Sequence, residues 1–195
     1  MPGPAAQAKL APVSQVEARF KLKPQPNARR GAVLILFYKK ANDWYFPLIQ
    51  RPDYDGHHGG QVGLPGGKVE PNDKDIIHTA LRETEEEIGV SQASIKVLGS
   101  LTDLYIPPSK FLVSPVVGWV EGVPSFVPDP VEVDEILETS LQELLHPEAI
   151  QHTAEPPGIS SPLETPYFAL QERVVWGATG MMLSELSHIL QEAGN

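Results

Sequence analysis

The stretch that decides the fold is Gly66-Gly67-Lys68-Val69-Glu70 together with Leu81-Arg82-Glu83-Thr84-Glu85-Glu86-Glu87-Ile88-Gly89-Val90. Its two glycines indicate a turn, and the residues that follow have the spacing of one helix. Asn72 or Asp73 is predicted to cap the start of this helix, and Gly89 is predicted to end it. The chain is therefore expected to place a glycine turn directly before an acidic helix.

At about 100° per residue, this helix separates into an apolar side and an acidic stripe. The stripe consists of Glu83, Glu86 and Glu87, which fall within an arc of roughly 100°, whereas Glu85 points toward water. Arg82 stands one turn before Glu86, where an ion pair can hold that carboxylate in place. The side predicted to be buried carries Ile76, Ile77, Ala80, Leu81, Thr84 and Ile88.

Three carboxylates on adjacent turns repel one another, so the stripe makes sense if a cation lies between them. Oxygen-only ligands suit hard cations, and Mg²⁺ binds through a few carboxylates plus the phosphate oxygens of a substrate. The alternative is a solvated helix face, which is the usual meaning of a glutamate run. The glycine turn, the placed arginine and the helix stop favour a Mg²⁺ or Mn²⁺ site.

These residues resemble the Nudix box, G-x5-E-x7-R-E-U-x-E-E-x-G-U, in which U is a bulky apolar residue. The residues that match the box are Gly67, Arg82, Glu83, Glu86, Glu87, Gly89 and Val90. Asp73 stands where the box has glutamate, eight residues instead of seven separate it from Arg82, and Thr84 replaces an apolar residue. On this pattern the chain is identified as a member of the Nudix superfamily.

The resemblance implies a fold and a division of the chain. Nudix proteins are α/β proteins, built as an α/β/α sandwich around a mixed β-sheet, and the same architecture is expected here. Residues 1–29 are predicted to be an N-terminal extension, and residues 30–195 the Nudix hydrolase domain.

Several elements can also be placed from the residues alone. Residues 31–38 have the length and β-branched content of a buried strand, and residues 44–51 are its predicted hairpin partner. Pro47 predicts an edge position or a bulge in that partner. Pro115 is expected to interrupt a strand over residues 111–120, and residues 181–190 are predicted to form an amphipathic helix.

Composition excludes several other classes of protein. The formal net charge of −10 argues against a protein that binds a nucleic-acid backbone, which normally carries a basic face. Zero cysteines exclude disulfides, thiolate catalysis and cysteine-ligated zinc. No apolar run reaches the roughly 18 to 20 residues of a membrane span, and no secretory signal is evident. We expect a cytoplasmic protein without nucleic-acid or membrane partners, and a homodimer is compatible with this sequence.

The residues before the box refine the resemblance. Residues 47–67 are similar to the extra motif of the coenzyme A pyrophosphatase branch, L-L-T-x-[TR]-[SA]-x3-R-x3-G-x3-F-P-G-G, and align with it without a gap. Gly60 and Pro65-Gly66-Gly67 match, and Leu48 and Arg51 agree. The branch implies hydrolysis of coenzyme A or acyl-CoA to 4′-phosphopantetheine and adenosine 3′,5′-bisphosphate.

One departure from that motif bears on the substrate. The branch has an arginine where Gly56 stands, and the 3′-phosphate of coenzyme A needs a cationic partner. The candidates to replace this arginine are Arg51, Arg29, Lys39 and Lys110. Our second hypothesis is that the missing arginine prevents recognition of coenzyme A. The substrate is then ADP-ribose, NADH or another nucleoside diphosphate derivative.

The resemblance implies roles for the acidic residues. Glu83, Glu86 and Glu87 are expected to hold the metal, joined by the Gly67 carbonyl and by phosphate oxygens, while water attacks one phosphorus. Glu83 or another nearby carboxylate takes the proton. Arg82 is expected to orient the glutamates.

Other residues are predicted to lie around this centre. Glu132 is a candidate for an extra carboxylate from outside the helix, and Glu70 is either an outer ligand or a turn residue. The residues expected to contact a small-molecule nucleotide substrate are Arg51, Gly66, Lys68 and His58.

Two other kinds of function were weighed against this hypothesis. A non-catalytic Nudix module that binds a nucleotide typically lacks box carboxylates, whereas all three persist here. A carbohydrate hydrolase needs two carboxylates on opposite sides of a cleft, and neighbours on one helix lie side by side. Both are disfavoured.

Overall fold

The computed structural model describes residues 2–17, 22–53, 59–159 and 162–194. These residues form an eight-stranded mixed sheet, a three-stranded sheet, four α-helices and three short 3-10 helices (Ala8–Leu10, Val13–Gln15 and Gln92–Ser94). The strands are β1 (Arg29–Lys40), β2 (Asp43–Gln50), β3 (Val62–Gly63), β4 (Gly66–Lys68), β5 (Ile95–Ser100), β6 (Leu104–Ile106), β7 (Phe111–Val120), β8 (Glu135–Ser140), β9 (Ile150–Thr153), β10 (Thr165–Leu170) and β11 (Arg173–Val175). The helices described are α1 (Gly3–Gln7), α2 (Ile76–Ile88), α3 (Leu141–Leu145) and α4 (Gly177–Ala193).

β1 is a central strand of the large sheet. Residues 29–37 of β1 pair in parallel with residues 111–119 of β7. On its other side, β1 pairs antiparallel with β4 through residues 31–33 and with β2 through residues 38–40. The sheet is therefore mixed, as predicted. The glycines that were predicted to form a turn lie instead in the short strand β4, which pairs with β1.

Both faces of β1 are buried, because its side chains alternate between two cores. Leu34 and Leu36 pack in one cluster with Ile88 of α2. Ile35 packs in the other cluster with Met182 of α4. With α2 on one face of the sheet and α4 on the other, the predicted α/β/α sandwich is confirmed.

Helix α2 carries the acidic stripe and begins later than predicted. Its N-cap is Asp75, whose side chain accepts a hydrogen bond of 2.8 Å from a backbone N–H of the first turn. The predicted caps, Asn72 and Asp73, are wrong, because the Asp73 carboxylate accepts hydrogen bonds from Arg82. The predicted stop is confirmed: Gly89 ends the helix with a φ of 73°, a left-handed conformation that favours glycine.

The apolar side of α2 lies as the helical period predicts. Ala80 and Ile88 are fully buried. The half-buried members are Ile76, Ile77 and Leu81. Thr84 is buried although it is polar, and its hydroxyl donates to the carbonyl oxygen of Ala80 at 2.7 Å. Because this bond satisfies the hydroxyl, threonine is accommodated where the box has an apolar residue.

The two prolines fit the sheet for different reasons. β2 is regular through Pro47, but its pairing with β1 covers only residues 43–45, so Pro47 is paired on the β8 side alone. The predicted interruption at Pro115 is wrong, because β7 runs unbroken from Phe111 to Val120. Pro115 falls where the antiparallel partner of β7 changes from β6 to β5, so its missing N–H breaks no ladder bond there.

The beginning of the chain packs against α4. Leu10 is fully buried in the core. Glu185 of α4 is also fully buried, and its carboxylate accepts from the backbone N–H of Gly3, from the side chain of Gln7 and from the hydroxyl of Thr102. These bonds offset the cost of burying a carboxylate. The division at residue 30 stays a prediction, but part of the proposed extension is tied to the domain.

Helix α4 is longer than the predicted segment and extends beyond residues 181–190 at both ends. Within the described parts of the chain, no helix combines the length and apolar character that crossing a membrane requires.

Candidate active site

Two glycines let β4 approach β1 and α2 closely. Gly66 has a φ of 151°, and a Cβ on this residue would lie 2.3 Å from the carbonyl oxygen of Ala32. A Cβ on Gly67 would lie 2.5 Å from the Glu83 carboxylate. Neither position has room for a side chain. The glycines therefore bring the backbone of β4 against the carboxylates of α2.

Glu87 is buried against this strand. Its Oε2 accepts from the N–H of Gly66 at 2.6 Å, and its Oε1 lies 3.2 Å from Arg51 Nη2. Burial raises the pKa of Glu87 to about 7, although Arg51 and the Gly66 N–H act to lower it. The negative charges of Glu83 and Glu132 raise this pKa further. A bound cation would stabilise the charged form of Glu87.

Glu83 is the second carboxylate at β4. It packs against Gly67, and its Oε1 lies 3.0 Å from Arg82 Nη2. Burial raises the pKa of Glu83, Arg82 acts to lower it, and the charges of Glu86 and Glu132 raise it. Two neighbouring carboxylates at β4 thus hold their negative charge less readily than carboxylates in water.

Arg82 connects the acidic helix to the segment before it. Its Nε and Nη2 donate to the two oxygens of Asp73 at 2.9 and 3.0 Å. Its Nη1 donates to Glu86 Oε2 at 2.8 Å, and its Nη2 also donates to the carbonyl of Lys68 at 3.1 Å. A guanidinium forked in this way fixes the spacing between helix and loop, which fits the predicted orienting role.

Asp73 anchors the segment before α2 to the helix, a role that its sequence position did not indicate. Its side chain is 1% exposed and accepts from Arg82, from the backbone N–H of Glu70 and from the hydroxyl of Thr79. The His78 Nδ1 lies 2.9 Å from the same carboxylate. The Arg82 guanidinium holds the pKa of Asp73 well below its usual range. The aspartate in place of the box glutamate was the only sequence signal of this anchor.

Glu86 and Glu85 are neighbours with different surroundings. The Glu86 side chain is 58% exposed and pairs with Arg82. Glu85 accepts from the side chain of Gln92 at 2.7 Å, beyond the end of α2. Only Glu86 therefore stays with the stripe, as the helical period predicts.

Two further acidic residues were predicted near the stripe. Glu132 lies in the exposed loop before β8, close enough for its charge to raise the pKa of both Glu83 and Glu87. The Glu70 carboxylate lies 3.7 Å from Lys68 Nζ at the protein surface. Of these two, Glu132 is the one whose charge reaches the buried carboxylates.

The donor set at β4 fits a hard divalent cation. Among the residues that the structure describes, no three acidic or histidine side chains are already arranged around a metal position. Half-buried Glu83 and buried Glu87 nevertheless supply carboxylates whose pKa is raised by burial, and a cation would stabilise their charged forms. Glu86 pairs with Arg82 at the surface, where ion pairs are weak, so its carboxylate can turn toward a metal at small cost.

The carbonyl predicted as a metal ligand, that of Gly67, faces β1 instead of the carboxylates. A Cβ on Gly31 would lie 2.6 Å from the Gly67 oxygen, within the β1–β4 ladder. Successive carbonyls of a strand point in opposite directions. The Gly66 oxygen lies 3.3 Å from Arg51 Nη2, which also contacts Glu87. The Gly67 prediction is therefore corrected, because Gly66 presents the carbonyl beside the carboxylates.

A cavity of about 230 Å³ opens beside β4. Apolar side chains of β1, β7 and α4 form much of its wall. The polar and charged side chains that line it are Arg51, Gln61, Lys68, Ser109 and Thr179. Sites for a whole small molecule typically measure about 300–1,000 Å³, so this cavity takes one part of a larger ligand.

The predicted substrate contacts are placed unequally. Gly66, Lys68 and Arg51 line the cavity. The Arg51 guanidinium, however, bonds the Glu87 carboxylate and the Gly66 carbonyl, so it also positions the site. The contact assigned to His58, like the departure at Gly56, lies outside the described residues.

The raised pKa of Glu87 has a consequence for stability. Its value of about 7 in the folded protein exceeds the ordinary value of 4.5, so the folded state binds more protons than the unfolded state between these values. Without divalent cations, the free energy of unfolding is therefore expected to fall as pH rises from about 4.5 to about 7. Glu87→Gln keeps an acceptor for Gly66 and should flatten this fall. Urea denaturation at several pH values in EDTA measures it, and equal slopes for both proteins would contradict the expectation.

Comparison with known proteins gives consistent matches. The model of the NUDIX domain family matches residues 28–159. A protein of Photorhabdus laumondii called "Uncharacterized Nudix hydrolase NudL" is 32% identical over 178 residues, which cover 89% of this chain and 94% of that protein. The protein of the same name from Yersinia enterocolitica is 38% identical over 139 residues, which cover 68% of this chain and 70% of that one.

Solved structures share the fold. A MutT/nudix family protein from Enterococcus faecalis superposes with a TM-score of 0.55 at 17% identity, over 96% of this chain and 73% of that one. A MutT protein from Methanosarcina mazei gives a TM-score of 0.53 at 18% identity, over 84% of this chain and 95% of that one.

Proposed function

Since the chain belongs to the Nudix hydrolase family, we propose that it is a Mg²⁺-dependent pyrophosphohydrolase whose substrate is coenzyme A or an acyl-CoA. In this reaction water adds to one phosphorus of the diphosphate and the bond from that phosphorus to the bridging oxygen breaks. The products are 4′-phosphopantetheine, or its acyl form, and adenosine 3′,5′-bisphosphate. As a Nudix hydrolase, the protein acts on nucleoside diphosphate derivatives; the choice of coenzyme A is the proposal.

The observation that carries this proposal is a pair of carboxylates held against β4, buried Glu87 and half-buried Glu83. Burial raises the pKa of both Glu83 and Glu87. Each contacts a glycine of β4 that lines the cavity, because Glu87 accepts from the Gly66 N–H and the Glu83 carboxylate lies against Gly67. Glu83, Glu86, Glu87 and the Gly66 carbonyl would hold Mg²⁺, with Glu132 as an extra carboxylate. Bound Mg²⁺ polarises the phosphoryl group and lowers the pKa of a water molecule.

The residues of the chain supply the remaining chemistry. Glu83, or another carboxylate at β4, is the candidate to take the proton of water, because it lies where the diphosphate would bind. Arg82 orients Glu83 and Glu86 through its ion pairs. Arg51 holds Glu87 in place, and Lys68 lies at the cavity, where its charge attracts a phosphate.

The substrate is supported by the similarity of residues 47–67 to the coenzyme A pyrophosphatase motif. The glycine at position 56, where that motif has arginine, favours a second candidate, a hydrolase of ADP-ribose, NADH or another nucleoside diphosphate derivative. Both candidates use the same carboxylates and differ only in the group recognised beyond the diphosphate.

A panel of substrates separates these candidates. With Mg²⁺, coenzyme A is expected to give the highest kcat/KM, about tenfold or more above dephospho-coenzyme A, since a lost charged contact costs on the order of this factor. EDTA should abolish turnover. The panel consists of coenzyme A, dephospho-coenzyme A, ADP-ribose and NADH, with products identified by mass. A preference for ADP-ribose or NADH would establish the second candidate, and no Mg²⁺-dependent turnover of any member would refute the proposed activity.

A further inference from the structure

The cavity beside β4 has an apolar wall to which four elements contribute. Its half-buried apolar residues are Val33 of β1, Ile106 of β6, Phe111 of β7 and Ala178 of α4. On their buried side, these residues pack against the core that lies between the large sheet and α4. The cavity therefore exposes apolar surface that an apolar group of a ligand would cover.

Most polar groups around the cavity are engaged within the protein. The Arg51 guanidinium pairs with Glu87, and the Gln61 side chain donates to a backbone carbonyl at 3.4 Å. The Oγ of Ser109 is buried and has almost no accessible surface, while Thr179 adds one hydroxyl to the wall. A sugar or a phosphate placed inside the cavity would lose its water without gaining matching partners. The cavity thus favours an apolar group.

The apolar wall adjoins the position proposed for the diphosphate. Val33 is the partner of Gly66 in the β1–β4 ladder, and a Cβ on Gly66 would lie 2.8 Å from Val33 Cγ1. Lys68, at the end of β4, pairs with Glu70 and keeps 69% of its side chain exposed, so its charge lies at the rim of the cavity. The group that enters the cavity is therefore the one bonded directly to the diphosphate.

The two sides of the diphosphate of coenzyme A differ in polarity. One side carries a ribose with its 3′-phosphate, and the other carries the pantetheine arm, which begins with a CH₂ group and a carbon that bears two methyl groups. We propose that the cavity is the subsite for this branched alkyl segment, with the adenosine half bound outside it. The volume of about 230 Å³ suits this segment and not the whole arm. The inference rests on the proposed function, because it places one half of the proposed substrate.

The test fills the cavity and measures the binding of each proposed product by titration calorimetry with Mg²⁺. Ala178→Leu adds apolar volume in the first turn of α4, where leucine is compatible with a helix. It is expected to weaken the binding of 4′-phosphopantetheine about tenfold, the contribution of two buried methyl groups. The binding of adenosine 3′,5′-bisphosphate should change by less than about twofold. Ala178→Ser, the size-matched control, should bind both products like the wild-type protein, and the Tm of each variant checks its folding.

Unchanged binding of 4′-phosphopantetheine by Ala178→Leu, or none by the wild-type protein, would overturn the subsite. An equal loss for both products, or a loss for the bisphosphate alone, would also overturn it, since the cavity would not select the pantetheine arm. If Ala178→Leu does not fold, Ile106→Phe with Ile106→Leu as its volume-matched control gives the same comparison.

The outcome for the subsite is separate from that for the proposed function, because product binding requires no turnover. The expected loss of 4′-phosphopantetheine binding in a protein that does not cleave coenzyme A would support the subsite and refute the proposed activity. Cleavage of coenzyme A by a protein in which Ala178→Leu binds 4′-phosphopantetheine normally would support the activity and refute the subsite.

Discussion

Replacing Glu86 with glutamine is expected to lower kcat roughly 10²- to 10⁴-fold while leaving the fold intact. The Glu86 side chain is 58% exposed and pairs with Arg82, so loss of its charge disturbs little packing. Glutamine has the same shape but no charge, and it is a poorer ligand for a hard cation. The measurement is turnover over a range of Mg²⁺ concentrations, together with the Tm, which should change by no more than about 2 °C.

The adjacent residue provides the control for this prediction. Glu85→Gln makes the same chemical change on the same helix, but the Glu85 side chain bonds Gln92 and not Arg82. Its kcat should equal that of the wild-type protein. If the Glu86 and Glu85 variants are equally active, the stripe is a solvated helix face and the metal assignment of Glu86 is wrong.

Replacing Arg82 with alanine is expected to lower the free energy of unfolding by roughly 3–5 kcal/mol, the cost of removing one partner of a buried ion pair. The Asp73 carboxylate, 1% exposed, would keep its charge while losing both guanidinium bonds. Urea denaturation at neutral pH measures the loss. Turnover should fall as well, because Glu83 and Glu86 lose the group that orients them.

A surface ion pair of similar geometry is the control for Arg82. Arg173 Nη2 lies 3.0 Å from Glu135, with side chains 43% and 51% exposed. Arg173→Ala should cost no more than about 1 kcal/mol. Adding Asp73→Asn to Arg82→Ala should restore part of the stability, because the uncompensated charge is then removed. Equal losses for Arg82→Ala and Arg173→Ala would mean that Asp73 is solvated and that the anchor has been misassigned.

The features that the sequence predicted well are local ones. The acidic stripe, the buried side of α2 and the stop at Gly89 follow from the helical period and from the left-handed conformation of one glycine. The two buried faces of β1 follow from its continuous apolar run. Each of these depends on residues a few positions apart, where spacing alone fixes which side chains are neighbours.

The features that it missed depend on contacts between distant segments. Asp73 has the residue type of a helix cap, but its carboxylate accepts a hydrogen bond from Arg82, nine positions later. The pairing of Arg51 with Glu87 spans 36 positions and cannot be read from either local pattern. Which glycine carbonyl faces the carboxylates, that of Gly66 or that of Gly67, depends on the register between β4 and β1. The spacing of residues within the box does not specify this register.

The buried Glu185 carboxylate imposes an order on biosynthesis. Gly3, one of its partners, precedes it by 182 positions, so it leaves the ribosome long before the residue that holds it. Until α4 has emerged, the segment that contains Leu10 lacks a surface on which to dock, and the core beneath it stays open. Completion of this domain thus follows the synthesis of α4, and the segment that contains Gly3 and Leu10 is among the last parts of the domain to settle although it is made before the rest of it.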